Sequence, residues 1–178
     1  MAILSDRDIK EYMKEGKLYI EPFMEKNLTP NGYDLTIEEI FIPELNEKVN
    51  EGETKISCMR GFLISTKEYI KLGGEITAQL WIRTTYARKG ILGSFGKVDA
   101  GFEGNLTLSA FNASDNEVNI KIGDTFAQIV FERMKSLPEK LYVKRSGNYM
   151  GQKGVTLEKR RVNKNNPASN GQKAEVPE

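Results

Sequence analysis

The chain has 178 residues, enough for one domain with a sizeable core. Its 26 basic and 25 acidic residues leave a net charge of +1, so no broad basic field points to nucleic acid. It has no histidine and one cysteine, Cys58, which excludes Cys–His and Ser–His nucleophiles and a disulfide framework, and argues against a zinc centre.

The N-terminal stretch MAILSDRDIKEYMKEG is too charged for a signal peptide, and no run of 18 apolar residues follows it. A cytoplasmic protein without membrane contact is the expectation. Ser5 and Asp6 offer N-caps for a short helix over DIKEYMKEG; Ile9, Tyr12 and Met13 give it an apolar stripe, and Gly16 stops it. KLYIEPF alternates like a strand and ends at Pro22. After the turn signal TPNG, YDLTIEEIFI is strand-like again. GETKIS, GFLISTKEYIKL and EITAQLWIRTT follow, rich in β-branched and aromatic residues, and NLTLSAFN, NEVNIKI and TFAQIVFERM continue the pattern. Many short strands with one helix predict a mainly β barrel or double-sheet domain over residues 1–155. From Thr156 to Glu178 apolar residues are few, two prolines occur and periodicity is lost, which predicts a disordered tail. The basic cluster Lys159, Arg160 and Arg161 within it reads as solvated rather than as a nucleic-acid contact.

Five polar or glycine-rich stretches interrupt or follow the β pattern: NGYDL, RTTYAR, VDAGFEG, GDTFAQ and SGNYMGQKG. Taken singly each is ordinary. Asn-Gly before a strand is usually a turn, Gly-Asp a hairpin, and Gln128 a half-buried strand residue. In this order and combination they resemble the five motifs of the trimeric deoxyuridine triphosphatase (dUTPase) and dCTP deaminase superfamily, over residues 3 to about 155. The N-terminal helix and strand and the tail motif are similar to the deaminase branch, while VDAGFEG closely matches the third motif.

The resemblance implies a distorted jelly-roll or β-clip fold, a homotrimer with active sites at subunit interfaces, and dUTP with Mg²⁺ as the reacting species. It implies Asp99 and Arg88 as catalytic residues, with Asp99 beside the deoxyribose and activating water. Arg83, Thr84, Thr85 and Gln128 would hold phosphates, for which arginine is a fork-shaped donor. Gly101 and Gly104 would let the hairpin approach the base, and Phe102 would pack on the sugar and leave no room for a 2′-hydroxyl. Tyr149, Gln152 and Lys153 would close over the triphosphate as a mobile lid. No direct metal ligand is implied; Asp34 would support the water shell of Mg²⁺ or the site loop.

One departure separates the family's two activities. Deaminases carry a glutamate five residues after the second glycine of the hairpin, as the proton shuttle for attack on cytosine. Here that position is Ser109. A serine hydroxyl does not shuttle protons in that way. Glu103 lies close in sequence, on a turn expected to face solvent. The expectation is therefore dUTP hydrolysis to dUMP and pyrophosphate. The alternatives are dCTP deamination, alone or combined with dUTP hydrolysis, and a non-catalytic deoxynucleotide-binding regulator of the same fold.

Overall fold

A computed structural model describes residues 2–158; the basic cluster Lys159–Arg161 and the remainder of the expected tail lie outside the described residues. The N-terminal helix α1 (Asp6–Lys14) starts where the sequence placed its cap. Ser5 accepts the Asp8 N–H, and the Asp8 carboxylate accepts the Ser5 N–H at 2.9 Å, a reciprocal capping box. Ile9 is the buried residue of its apolar stripe.

Strand β1 (Ala2–Ile3) precedes that helix and β2 (Leu18–Glu21) follows it. Then come β3 (Leu28–Thr29), the long β4 (Gly32–Ile42), β5 (Glu47–Val49), β6 (Glu53–Ile56), β7 (Arg60–Thr66), β8 (Tyr69–Leu72) and β9 (Ile76–Ile82). Helix α2 (Thr84–Ala87) separates these from β10 (Ile91–Ser94), β11 (Lys97–Val98), β12 (Glu103–Gly104), β13 (Thr107–Asn112), β14 (Val118–Lys121) and β15 (Thr125–Arg133). Helix α3 (Tyr142–Arg145) comes last. The main sheet runs β10-β13-β7-β4-β15-β9-β11, with β1 on β15 and with β3 and β5 on β4. β12-β8-β2 and β14-β6 form two smaller sheets. The mainly β fold is as expected, and two single-turn helices accompany the N-terminal one.

The core takes alternate residues of these strands, among them Tyr33, Ile40, Ile64, Ile129 and Phe131, all fully buried. Phe126 of β15 is its aromatic centre, with ring centroids 6.0 Å from Phe62, 4.8 Å from Tyr86 and 6.4 Å from Phe95. This cluster corrects one expected boundary. The strand read through EITAQLWIRTT stops at Ile82. Arg83 gives its N–H to the Phe126 carbonyl at 3.0 Å, and the chain then closes the turn of α2. The two threonines favour strand, but seating the buried Tyr86 ring against Phe126 requires the turn.

A second break divides GFLISTKEYIKL at Glu68. This residue is fully buried and accepts the Thr36 N–H at 2.8 Å and the Thr36 hydroxyl at 2.7 Å. Burial holds its carboxyl above the ordinary range despite those bonds.

Candidate active site

The hairpin VDAGFEG turns between β11 and β12. Phe102 donates its N–H to the Asp99 carbonyl at 3.0 Å, across Gly101 at φ +79°. The turn leaves Asp99 exposed and Phe102 buried, its ring edge-on to Tyr142 at 5.7 Å between centroids. These side chains, with Thr107, Tyr149 and Gln152, line a cavity of about 300 Å³. Asp99 is the one acid among the described residues that line it.

The motif SGNYMGQKG leads into a strap that returns along this hairpin. Gly151 donates to the Glu103 carbonyl at 2.7 Å, and Asn105 donates to the Gln152 carbonyl at 3.0 Å. The Gln152 amide reaches the Asn105 carbonyl at 2.6 Å. Further on, the Val155 N–H meets the Glu39 carboxylate at 2.9 Å and the Thr156 N–H meets the Thr107 hydroxyl at 3.0 Å. Thr156, read from sequence as the start of the tail, is thus part of the bonded strap and lines the cavity. Lys153 is exposed and is not among the lining residues. Gly101 does not line the cavity either. A Cβ there would lie 3.0 Å from Cβ of Leu141, so its bareness seats this chain's own segment before the strap. Gly104 likewise leaves room for the Gln152 main chain, 3.1 Å from where its Cβ would be.

A second cavity, of about 270 Å³, forms where β4, β15 and β9 lie side by side. Gln128 of β15 stands opposite Asp34 on one neighbour and Trp81 on the other. Arg83 leaves the end of β9 and places Nε 3.0 Å from the Asp34 carboxylate, while its guanidinium also donates to the Thr125 hydroxyl. Burial pushes the Asp34 carboxyl above its ordinary value and the Arg83 charge opposes that rise. Asp34 therefore orients the arginine of the site loop. Gln128 donates to the Thr29 hydroxyl at 2.9 Å rather than to the RTT loop. Thr84 and Thr85 complete the wall. A guanidinium, an amide and three threonine hydroxyls form a donor set suited to phosphate oxygens.

The two cavities share no lining residue. Leu80 borders the first and Trp81 the second. Consecutive strand residues project to opposite faces, so β9 stands between the cavities within one chain. Arg88 joins neither. It caps α2 and borders a hollow with Lys89, Ser114 and Asn116. The structure thus brings together Asp99, Phe102, Tyr149 and Gln152, and separately Asp34, Arg83, Thr84, Thr85 and Gln128.

Ser109 is exposed on β13, opposite Ser94 and Leu63, and does not line the Asp99 cavity. Glu103 is not the solvent-facing turn residue expected. It is half-buried on β12, accepts the Tyr69 hydroxyl at 2.8 Å and pairs with the Lys71 ammonium at 3.3 Å. The Tyr69 bond first and Lys71 second hold its carboxyl below the ordinary range. Sequence reading passed over Tyr142, whose hydroxyl accepts the Tyr149 N–H at 3.1 Å, and Lys97 at the cavity rim. The aromatic in KLYVKRSG, just ahead of the tail motif, was the available signal for Tyr142.

A family model described as dCTP deaminase-like matches residues 3–58 and 46–134. The dCTP deaminase of Pyrococcus horikoshii is 42% identical over 147 residues, 82% of this chain and 92% of its own length. A probable deoxyuridine 5′-triphosphate nucleotidohydrolase of Sulfolobus islandicus rod-shaped virus 1 is 45% identical over 159 residues, 88% of this chain and 98% of its own. The crystal structure of the Agrobacterium tumefaciens 2′-deoxycytidine 5′-triphosphate deaminase shares the fold, with a TM-score of 0.63 and 18% identity over 74% of this chain, which spans 48% of that protein. The EIAV dUTPase shares it with a TM-score of 0.52 and 16% identity, over 69% of this chain and 93% of that one. With a family model across most of its β domain and relatives above 40% identity along nearly their full length, the chain belongs to the dCTP deaminase-like family.

Proposed function

We propose that this protein hydrolyses dUTP to dUMP and pyrophosphate. The observation that carries the reading is the single acid lining the hairpin cavity: Asp99 is there, Ser109 stands at the deaminating position, and Glu103 is occupied by Tyr69 and Lys71. Hydrolysis at phosphorus needs one base to take a proton from water. Deamination needs a group that also returns protons to the ring and to the leaving ammonia. One exposed carboxylate suits the first task.

In this reading the deoxyribose lies against Phe102, with Tyr149 and Gln152 as the strap wall. Asp99 takes a proton from water as the oxygen bonds to the α-phosphorus, and the bond from that phosphorus to the bridging oxygen of pyrophosphate breaks. Arg83, Thr84, Thr85 and Gln128 hold the phosphate oxygens. Among the described residues no cluster of three or more acids, cysteines or histidines could hold a metal ion, and Asp34 is committed to Arg83. Mg²⁺ would arrive on the triphosphate and would neutralise charge on the leaving group. Because β9 divides the two cavities, one ligand uses both only where the Asp99 face of one copy meets the Arg83 face of another. That supports sites shared between copies, as in the homotrimer that the resemblance implies.

The names of relatives such as the Pyrococcus horikoshii protein favour a second reading, dCTP deamination. Incubation with dUTP or dCTP and Mg²⁺, with chromatography of products, separates the two. Release of dUMP and pyrophosphate from dUTP with dCTP left intact is expected. Uracil nucleotides formed from dCTP at a comparable rate would replace hydrolysis by the second reading, and binding without turnover would leave a regulator.

A further inference from the structure

Glu39 of β4 lines neither the Asp99 nor the Arg83 cavity, and the proposed chemistry does not use it. Its side chain is nevertheless only 12% exposed. One oxygen, Oε1, accepts the Val155 N–H at 2.9 Å and stands 3.0 Å from the Lys48 ammonium of β5. Among the described residues this is the one hydrogen bond in which the strap meets a charged side chain. Bonds of that kind are stronger than neutral ones.

Strand pairing explains how an acid of β4 comes to face the strap. Ile37 stands opposite Thr66 of β7, and Glu39 stands opposite the adjacent Ser65, so the register slips between them and Glu38 is the extra residue. Such a bulge re-aims the side chains beside it. Thr107 of β13 meets Ser65 from the other side, so Glu39, Ser65 and Thr107 form one row on one face of the sheet. Lys48 is opposite Phe41, two residues from Glu39, and shares that face. The strap is bonded at both ends of the row, to Glu39 through Val155 and to Thr107 through Thr156, and Ser65 between them is fully buried. Gln152 and Thr156, which flank this anchor point along the strap, line the Asp99 cavity.

We propose that Glu39 is a positioning residue for nucleotide binding: its carboxylate, steadied by Lys48, latches the end of the strap and so holds Gln152 and Thr156 in the wall of the Asp99 cavity. The inference rests on the dUTP reading above and adds the residue that seats the strap. Glu39 touches no ligand, so its effect on the substrate passes through the strap alone. When the latch is lost, fewer molecules hold a seated strap, and the apparent affinity for substrate falls by that fraction. At saturation the substrate itself holds the strap down, and Asp99 is untouched, so turnover is kept.

The competing account is that Glu39 and Lys48 only brace β4 against β5. Glu39→Ala, Glu39→Gln and Lys48→Met are compared in the full chain, and Glu39→Ala again in the chain ended before Ser146. The readouts are kcat and KM for dUTP with Mg²⁺, and hydrogen exchange without nucleotide. The Thr156 and Asn105 amides report the strap, since Asn105 donates to the Gln152 carbonyl. In Glu39→Ala both amides should exchange about tenfold faster, the worth of one charge-assisted hydrogen bond, and KM should rise by up to about tenfold with kcat within about twofold. Glu39→Gln keeps an acceptor for Val155 and should recover most of the loss, and Lys48→Met should lose less than Glu39→Ala. In the shortened chain Glu39→Ala should change neither KM nor kcat, because no strap is left to hold. Unchanged exchange of both amides in the full-length Glu39→Ala protein, or the same rise in KM in the shortened chain, would overturn the proposal in favour of bracing. Where the shortened chain turns over too slowly to measure, the exchange result decides alone. If the unaltered protein leaves dUTP intact, the dUTP reading fails, while the exchange comparison still judges the latch.

Discussion

The Asp99 cavity and the Arg83 cavity are held by different forces. The first has main-chain hydrogen bonds between the hairpin and the strap, to which the Gln152, Glu39 and Thr107 side chains add, and is lined by rings such as Phe102, Tyr142 and Tyr149. The second depends on side chains: Arg83 on Asp34 and Thr125, Gln128 on Thr29. Main-chain bonds survive most substitutions, whereas a side-chain pair is lost when either member changes. The first cavity should therefore keep its shape when its functional residue is altered, and the second should not.

The largest test of that contrast is Asp99→Asn. Turnover should fall by roughly 10²–10⁴, the usual worth of a positioned base, with nucleotide affinity and melting temperature unchanged. Steady-state kinetics beside calorimetry checks it, and near-normal kcat would remove Asp99 from the reaction. Arg83→Gln should also be inactive, for want of the opposite cavity. Unfolding and refolding a mixture of the two inactive variants should then restore turnover, because sites formed between copies can pair an intact Asp99 face with an intact Arg83 face. A mixture as inactive as its components would place both halves in one chain.

Smaller effects sharpen the comparison. Ending the chain before Ser146 should damage catalysis by removing the strap, whereas ending it before Leu157 should leave kcat/KM near normal. Equal activity of the two would take the strap out of the site. In stability, Arg83→Gln should cost about 1–3 kcal/mol, because it strands the mostly buried Asp34 carboxylate. Phe102→Leu should leave the strap bonds in place, as hydrogen exchange of the Gly151 and Thr156 amides would report.

The smallest effect is one of pH. Burial raises the Glu68 carboxyl above its ordinary value of 4.5, so the native state holds that proton more tightly than the unfolded chain does. Glu68 accordingly favours the native state most below that value, and its contribution falls as pH rises through the raised native value. Denaturation midpoints across that range should decline less steeply in Glu68→Gln.

Most of the strands were legible because alternation reports one buried face directly, as in β2, β13 and β14. The hairpin turn that carries Asp99 and Phe102 was legible too, since its residues are neighbours in sequence and Gly101 supplies the positive φ it needs. What sequence hid was set by distant partners. The α2 turn depends on Tyr86 reaching Phe126, forty residues later, against the local preference of its threonines. Glu68 reads as a surface acid until Thr36 is brought over it. Lys97 reads as one more exposed strand charge until Glu132 is placed beneath it. The division of the site between two faces also rests on pairing register, which no single strand contains.

That register makes β9 intolerant of changes in length. Its pairs run from Ile76 opposite Arg133 to Ile82 opposite Ala127, and Leu80 and Trp81 serve opposite faces. Deleting one residue ahead of Leu80 would exchange the faces of every residue up to the deletion relative to those after it, or shift the whole ladder by one. Either outcome spoils both cavities at once, although no residue that lines them has been replaced. The turn between β5 and β6 is the opposite case. Gly52 there sits at φ +73° with nothing within 4 Å of its missing Cβ, so an insertion meets open space. Among sequences of this fold, gaps should gather at such turns and stay out of β9, a pattern governed by strand parity rather than by the chemistry of any one residue.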